Sequence, residues 1–135
     1  MNIKIFTDGG SKGNPGPAAI GIVAYRGSEE LFRYREDIGT ATNNDAEYRA
    51  LMKAFELIKE YKASHANEAI NHVDFYSDSR LMVNQVKGLF KVNEARLREY
   101  VMHIRILEAE LGCSTNYHDI PREQNKVADA LVNNK

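Results

Sequence analysis

An α/β fold, a mixed sheet with antiparallel first strands and helices on its faces, is predicted by three features of the sequence. Short β-branched runs separated by turn formers open the chain, from Ile3 to Arg35. The apolar period then becomes helical near Asn44, and the remaining order reads helix, strand, helix, helix, strand, helix. Finally, 135 residues without repeat, linker or low-complexity tract suit one domain over 1–135 with its own core.

The first strand, Ile3–Thr7, is expected to stop at Asp8, where Gly9, Gly10, Gly13, Pro15, Gly16 and Pro17 concentrate. Ala18–Tyr25 and Leu31–Arg35 then pair across a turn at Arg26–Ser28. Ala46, Ala50, Ala54 and Leu57 mark the buried stripe of the first helix, with Thr42 to Asp45 as capping residues. Val73–Ser77 forms a strand closed by Asp78, followed by a helix over Ser79–Val86. Asn93 is positioned to cap a longer helix to Leu111, ended by Gly112. A strand over Ser114–Ile120, a polar loop and a short helix carrying Asp129 complete the chain.

Eighteen Lys and Arg oppose nineteen Asp and Glu, so composition carries no basic excess and does not by itself suggest a nucleic-acid binder. A site must make that case. The lone Cys113 cannot form an internal disulfide, and the N-terminus has no long apolar stretch, which points to a reducing, cytoplasmic setting.

Four carboxylates stand in distinctive places. Asp8 and Asp78 close strands, where α/β folds gather their sites. Glu47 is expected on the first turn of a helix, and Asp129 interrupts an apolar stretch of the last one. Each alone has a plain structural reading: a turn at Asp8-Gly9, a dipole-favoured surface residue at Glu47, a helix cap at Asp78, an outward charge at Asp129.

Together with their surroundings, TDGGSKGNPGPAAIG, TNNDAEYRAL, YSDSRLMVNQV and IPREQNKVADALVN in this order, they make the chain resemble the type 1 ribonuclease H family over its whole length, and its short archaeal-like members most. The resemblance implies the ribonuclease H-like fold, a mixed five-stranded sheet with helices on both faces. It implies hydrolysis of the RNA strand of RNA/DNA hybrids, with Asp8, Glu47, Asp78 and Asp129 holding two Mg2+ ions, Mn2+ being a substitute. The implied products carry 5′-phosphate and 3′-hydroxyl ends, and neither a membrane nor an obligate protein partner is implied for what is expected to be a monomer.

Substrate contacts carry over in the same way. Gly9 and Gly10 would present backbone groups to 2′-hydroxyls, and the amides of Asn14, Asn43 and Asn44 would both donate and accept there. Thr42 and Asn14 would grip a DNA phosphate, and Arg80 is placed to add another contact. Three departures stand out. Thr40 replaces the Arg that many members use in the phosphate pocket; the loop before Asp129 lacks the usual His, leaving Arg122, Glu123 or His118 as substitutes for product release; and only Lys87–Asn93 remains where longer relatives carry a basic extension. Lys87, Lys91, Arg80, Arg96 and Arg98 are the cations that can line that edge.

Overall fold

A computed structural model describes residues 1–134. Its elements are β1 (Asn2–Ser11), β2 (Gly16–Arg26), β3 (Glu29–Ala41), α1 (Asn43–Ser64), β4 (His72–Ser77), α2 (Arg80–Val86), α3 (Ala95–Leu111), β5 (Ser114–Asp119), a 3-10 turn (Arg122–Gln124) and α4 (Lys126–Val132). The strands form one sheet in the order β3-β2-β1-β4-β5. β1, β2 and β3 pair antiparallel, whereas β4 and β5 run parallel to β1. This is the mixed five-stranded sheet expected.

Strand alternation divides the layers. Ile3, Ile5, Ile20, Ile22, Val73 and Phe75 pack with Leu51, Phe55 and Ile58 of α1, Val83 of α2 and Ile104 and Leu107 of α3 in one buried cluster. The intervening side chains, among them Phe6 and Asp8, face the other side, where α4 lies across β2 and β1. Helices therefore cover both faces.

Two sequence expectations shift in ways that matter for the site. β1 continues through Asp8 to Ser11, because Gly9 and Gly10 stay extended opposite Ile20 and Ala19. What ends near Asp8 is the other partner: pairing with β4 stops at Phe6–Tyr76. Asp8 is thus held on one side by β2 and left open on the other.

Glu47, for its part, is the fifth residue of α1, beyond the first turn, whose acid is Asp45. At the start of α3, Glu94 rather than Asn93 takes the cap position, and no side chain caps it. Gly112 ends α3 in the left-handed conformation expected of it, φ 73°. Among the described residues, no helix is long and apolar enough to cross a membrane.

Candidate active site

Two glycines without room for a side chain bring the carboxylates together. A Cβ on Gly9 would lie 2.2 Å from the Ala46 carbonyl oxygen, so α1 sits directly on β1 through its alanine stripe. Gly21 pairs with Asp8. A Cβ there would lie 2.6 Å from the Ala128 carbonyl oxygen and 2.8 Å from Leu131 Cβ, so α4 presses on the opposite face. These close approaches deliver Glu47 from one side of Asp8 and Asp129 from the other.

Asp8, Glu47 and Asp78 each offer a carboxylate oxygen, and all three oxygens lie within 4.8 Å of one another. Asp8 and Glu47 are only 6% and 8% exposed. The Gly9 N–H donates to Glu47 Oε1 at 2.9 Å and fixes one of its oxygens. Asp78 is released from capping duty, because Ser79 Oγ accepts from the Met82 N–H and caps α2 instead. Asp129 stands at the edge of this triad: it is half-buried, lines the same recess, accepts from Asn133 Nδ2 at 3.1 Å, and its charge acts on Asp8 and Asp78.

So many carboxylates in a buried place disfavour ionisation. Burial, then the charges of Asp78 and Asp129, push the Asp8 carboxyl up to about 7. Burial, then Asp8 and Asp78, push Glu47 well above its usual range, and burial raises Asp78 as well. Among the described residues, Asp78 Oδ2 is buried without a hydrogen-bond partner. Arg122, on the 3-10 turn, brings its Nε to 3.8 Å from that oxygen and supplies a counter-charge. Crowded hard oxygen donors, one of them orphaned, fit a divalent cation such as Mg2+ or Mn2+. Over them opens a recess of about 600 Å3.

Of the expected substrate residues, Gly9, Gly10 and Asn43 line this recess, and several of the hydrogen bonds of the set are already committed. Asn43 Oδ1 accepts from the Ser11 N–H at 3.0 Å, and Asn14 Oδ1 accepts from the Asn43 N–H at 3.0 Å. Backbone donors thus engage the side-chain oxygens of both residues and fix their amide orientations. Asn44 is half-buried beside them. The Gly9 amide is likewise taken by Glu47, while Gly10 lines the recess.

Thr42 spends its hydroxyl on α1: it donates to Asp45 Oδ2 at 2.9 Å and accepts from the Asp45 N–H at 3.1 Å. Arg80 rests over the Phe90 ring at 5.6 Å. Of the three loop candidates, Arg122 lines the recess. Glu123 borders a separate apolar hollow with Phe6 and Tyr25, and His118 is bound to Asp74 Oδ1 at 2.8 Å and stacked on Tyr76.

Two further residues help build the site and were not singled out by sequence. Asn125, fully buried, donates to the Thr7 carbonyl at 2.9 Å and also favours the ionised form of Asp78. Its spacing four residues before Asp129 was the available signal. Arg35 donates to the Leu131 carbonyl at 2.7 Å and so fastens the C-terminal turn of α4 to β3. Its place in line with Gly21 and Asp8 depends on strand register, which the sequence does not display.

The sequence and the fold both have known relatives. The model of the family described as reverse transcriptase-like matches residues 6–135. LC11-RNase H1, isolated from compost by a metagenomic approach and solved in complex with an RNA/DNA hybrid, is 38% identical, with a TM-score of 0.89 over 98% of this chain and 94% of that one. RNase H1 of the archaeon Halobacterium salinarum is 34% identical, with a TM-score of 0.84 over 98% and 96% of the two chains.

The bifunctional protein Rv2228c of Mycobacterium tuberculosis is 36% identical over 98% of this chain but only 35% of its own length. The chain thus spans about a third of the curated relatives it matches first. The solved N-terminal RNase H domain of that protein is covered over 98%, at 33% identity and a TM-score of 0.84. Fold, carboxylate cluster and these likenesses together place the chain in the type 1 ribonuclease H family.

Proposed function

We propose that the chain hydrolyses the RNA strand of RNA/DNA hybrids with two divalent cations held by Asp8, Glu47, Asp78 and Asp129, leaving 5′-phosphate and 3′-hydroxyl ends. The observation that carries this reading is the meeting of the Asp8, Glu47 and Asp78 carboxylates beside an open recess that Asp129 and Asn43 also line. The hybrid bound to LC11-RNase H1 supports the substrate class.

Bound there, Mg2+ or Mn2+ would supply an activated water and neutralise charge on the departing 3′ oxygen. The protein's own part is to hold four acidic side chains at one point, against the burial and mutual repulsion that disfavour their ionisation until cations offset the charge. Gly9 orients Glu47, Asn125 steadies Asp78, and α4 carries Asp129 to the opening. Arg122 balances the carboxylates at the rim and is placed to meet a phosphate. The amides of Asn14, Asn43 and Asn44 would meet 2′-hydroxyls and so select RNA at the cut strand, with the Asn14 and Asn43 oxygens already engaged by backbone N–H groups. We take the active form to be a monomer working in the cytoplasm.

Incubating the protein with end-labelled hybrid, double-stranded RNA and double-stranded DNA, with Mg2+ or with EDTA, tests this. The RNA of the hybrid is expected to be cut only with the metal, and more slowly when deoxynucleotides replace the residues flanking the cut. Cutting of double-stranded DNA would place the chain with another nuclease class, and binding of hybrid without cutting would make it a binding module.

A further inference from the structure

We infer that Arg96 and Tyr100 of α3 are positioning residues for hybrid binding, acting through Asp45 to fix the corner between β3 and α1 that presents Asn43 and Asn44. This rests on the proposed activity, since it concerns how that site grips its substrate.

Asp45 is a nearly buried carboxylate whose two oxygens serve different elements. Oδ2 accepts from the Thr42 N–H at 3.3 Å and the Thr42 hydroxyl at 2.9 Å, closing the capping box of α1. Oδ1 accepts from the Tyr100 hydroxyl at 3.2 Å and pairs with Arg96 Nε at 2.9 Å. A capping box satisfies free amides but leaves its own charge to be neutralised, and a buried charge requires a partner. Here that partner comes from a different helix.

Tyr100 also stacks on the buried Tyr48 of α1, with centroids 5.5 Å apart, and Tyr48 donates to Gln85 Oε1 of α2 at 2.6 Å. The corner is thus clamped on its α3 side by Arg96 and Tyr100, and on its β1 side by Ser11 and Asn14 bonded to Asn43. None of the α3 residues lines the carboxylate recess, so their influence on the reaction passes through this corner. Arg98, two residues on, caps the loop carbonyls of Val92 and Asn93 instead and serves as a control.

Arg96→Gln, Tyr100→Phe, Arg96→Lys and Arg98→Gln are compared for steady-state cutting of hybrid, Mn2+ affinity, salt dependence and amide exchange at residues 42–45. Arg96→Gln is expected to raise KM by roughly 3- to 10-fold, with kcat and Mn2+ affinity unchanged and faster exchange at the corner. Tyr100→Phe should move KM in the same direction, Arg96→Lys should restore part of it, and Arg98→Gln should resemble the wild type.

A direct phosphate contact by Arg96 would instead lower the salt slope by about one unit and leave Tyr100→Phe silent, which overturns the inference. So would an unchanged KM in Arg96→Gln, or a joint fall of kcat and metal affinity. A wild-type protein that cuts no hybrid overturns the underlying activity, and the positioning role with it.

Discussion

Asp8 shows most clearly how one side chain can be costly to the fold and necessary to the site. Burial and the neighbouring charges of Asp78 and Asp129 lift its carboxyl from 3.8 to about 7, so without metal the folded state holds a proton that the unfolded chain releases. Between pH 4 and 7 the unfolded chain binds fewer protons at this group than the folded protein does. Stability contributed by Asp8 is therefore full below pH 4 and lost as pH rises toward 7. In EDTA, thermal melts are expected to show this loss, and Asp8→Asn should raise the midpoint at pH 7 by roughly 5 °C; an identical pH profile in wild type and variant would refute the proposed burial cost. In Mg2+, Asp8→Asn and Asp78→Asn should lose hybrid cutting by at least about 1000-fold, on the order of 4 kcal/mol. Full activity in either removes the cluster from the chemistry. At this scale the four carboxylates were legible, since each sat in a recognisable string, whereas the direction of the Asn14 and Asn43 amides was not. Those directions are set by Ser11 and the Asn43 backbone, partners brought together only by the fold.

Among the elements, the decisive contacts are the glycine seats. Gly9→Ala places a methyl group against the Ala46 carbonyl, and Gly21→Ala places one against the Ala128 carbonyl, both unyielding backbone. Each substitution is expected to cost on the order of 3 kcal/mol by overpacking. Below its melting point, Gly21→Ala should also weaken Mn2+ binding, because α4 carries Asp129; calorimetric titration checks this, and unaltered stability in both variants would contradict the close seating. The sequence revealed the helices through their periodicity, and Asp8 and Asp78 pointed to the end of the sheet where the carboxylates meet. It placed the end of β1 too early, because the Gly9-Gly10 pair reads as a turn in isolation yet pairs with Ile20 and Ala19. The actual opening beside Asp8 comes from the shorter β4, a tertiary fact. Arg96 was likewise read as a cation for an outer edge, whereas it is bound to Asp45.

For the molecule as a whole, a formal charge of -1 conceals a knot of carboxylates at the recess, with Lys12, Arg35 and Arg122 along its walls and other cations spread over the surface. Arg96 and Arg98 are tied to the protein itself, which leaves the exposed Lys87 and Lys91 as candidates for a phosphate edge beside Leu89 and Phe90. The double change of Lys87 and Lys91 to Ala is expected to raise KM, lower the salt slope by about two units and leave kcat unchanged. A large loss of kcat with unaltered binding would show that this edge does not handle substrate. In the proposed reaction the carboxylates of β1, α1, β4 and α4 converge to hold two cations. Anomalous scattering from crystals grown with Mn2+ and a non-cleavable hybrid tests it most directly. Two peaks roughly 4 Å apart among Asp8, Glu47, Asp78 and Asp129, flanking one phosphate of the RNA strand, are predicted; peaks elsewhere, or a hybrid bound with no metal between these residues, would contradict it.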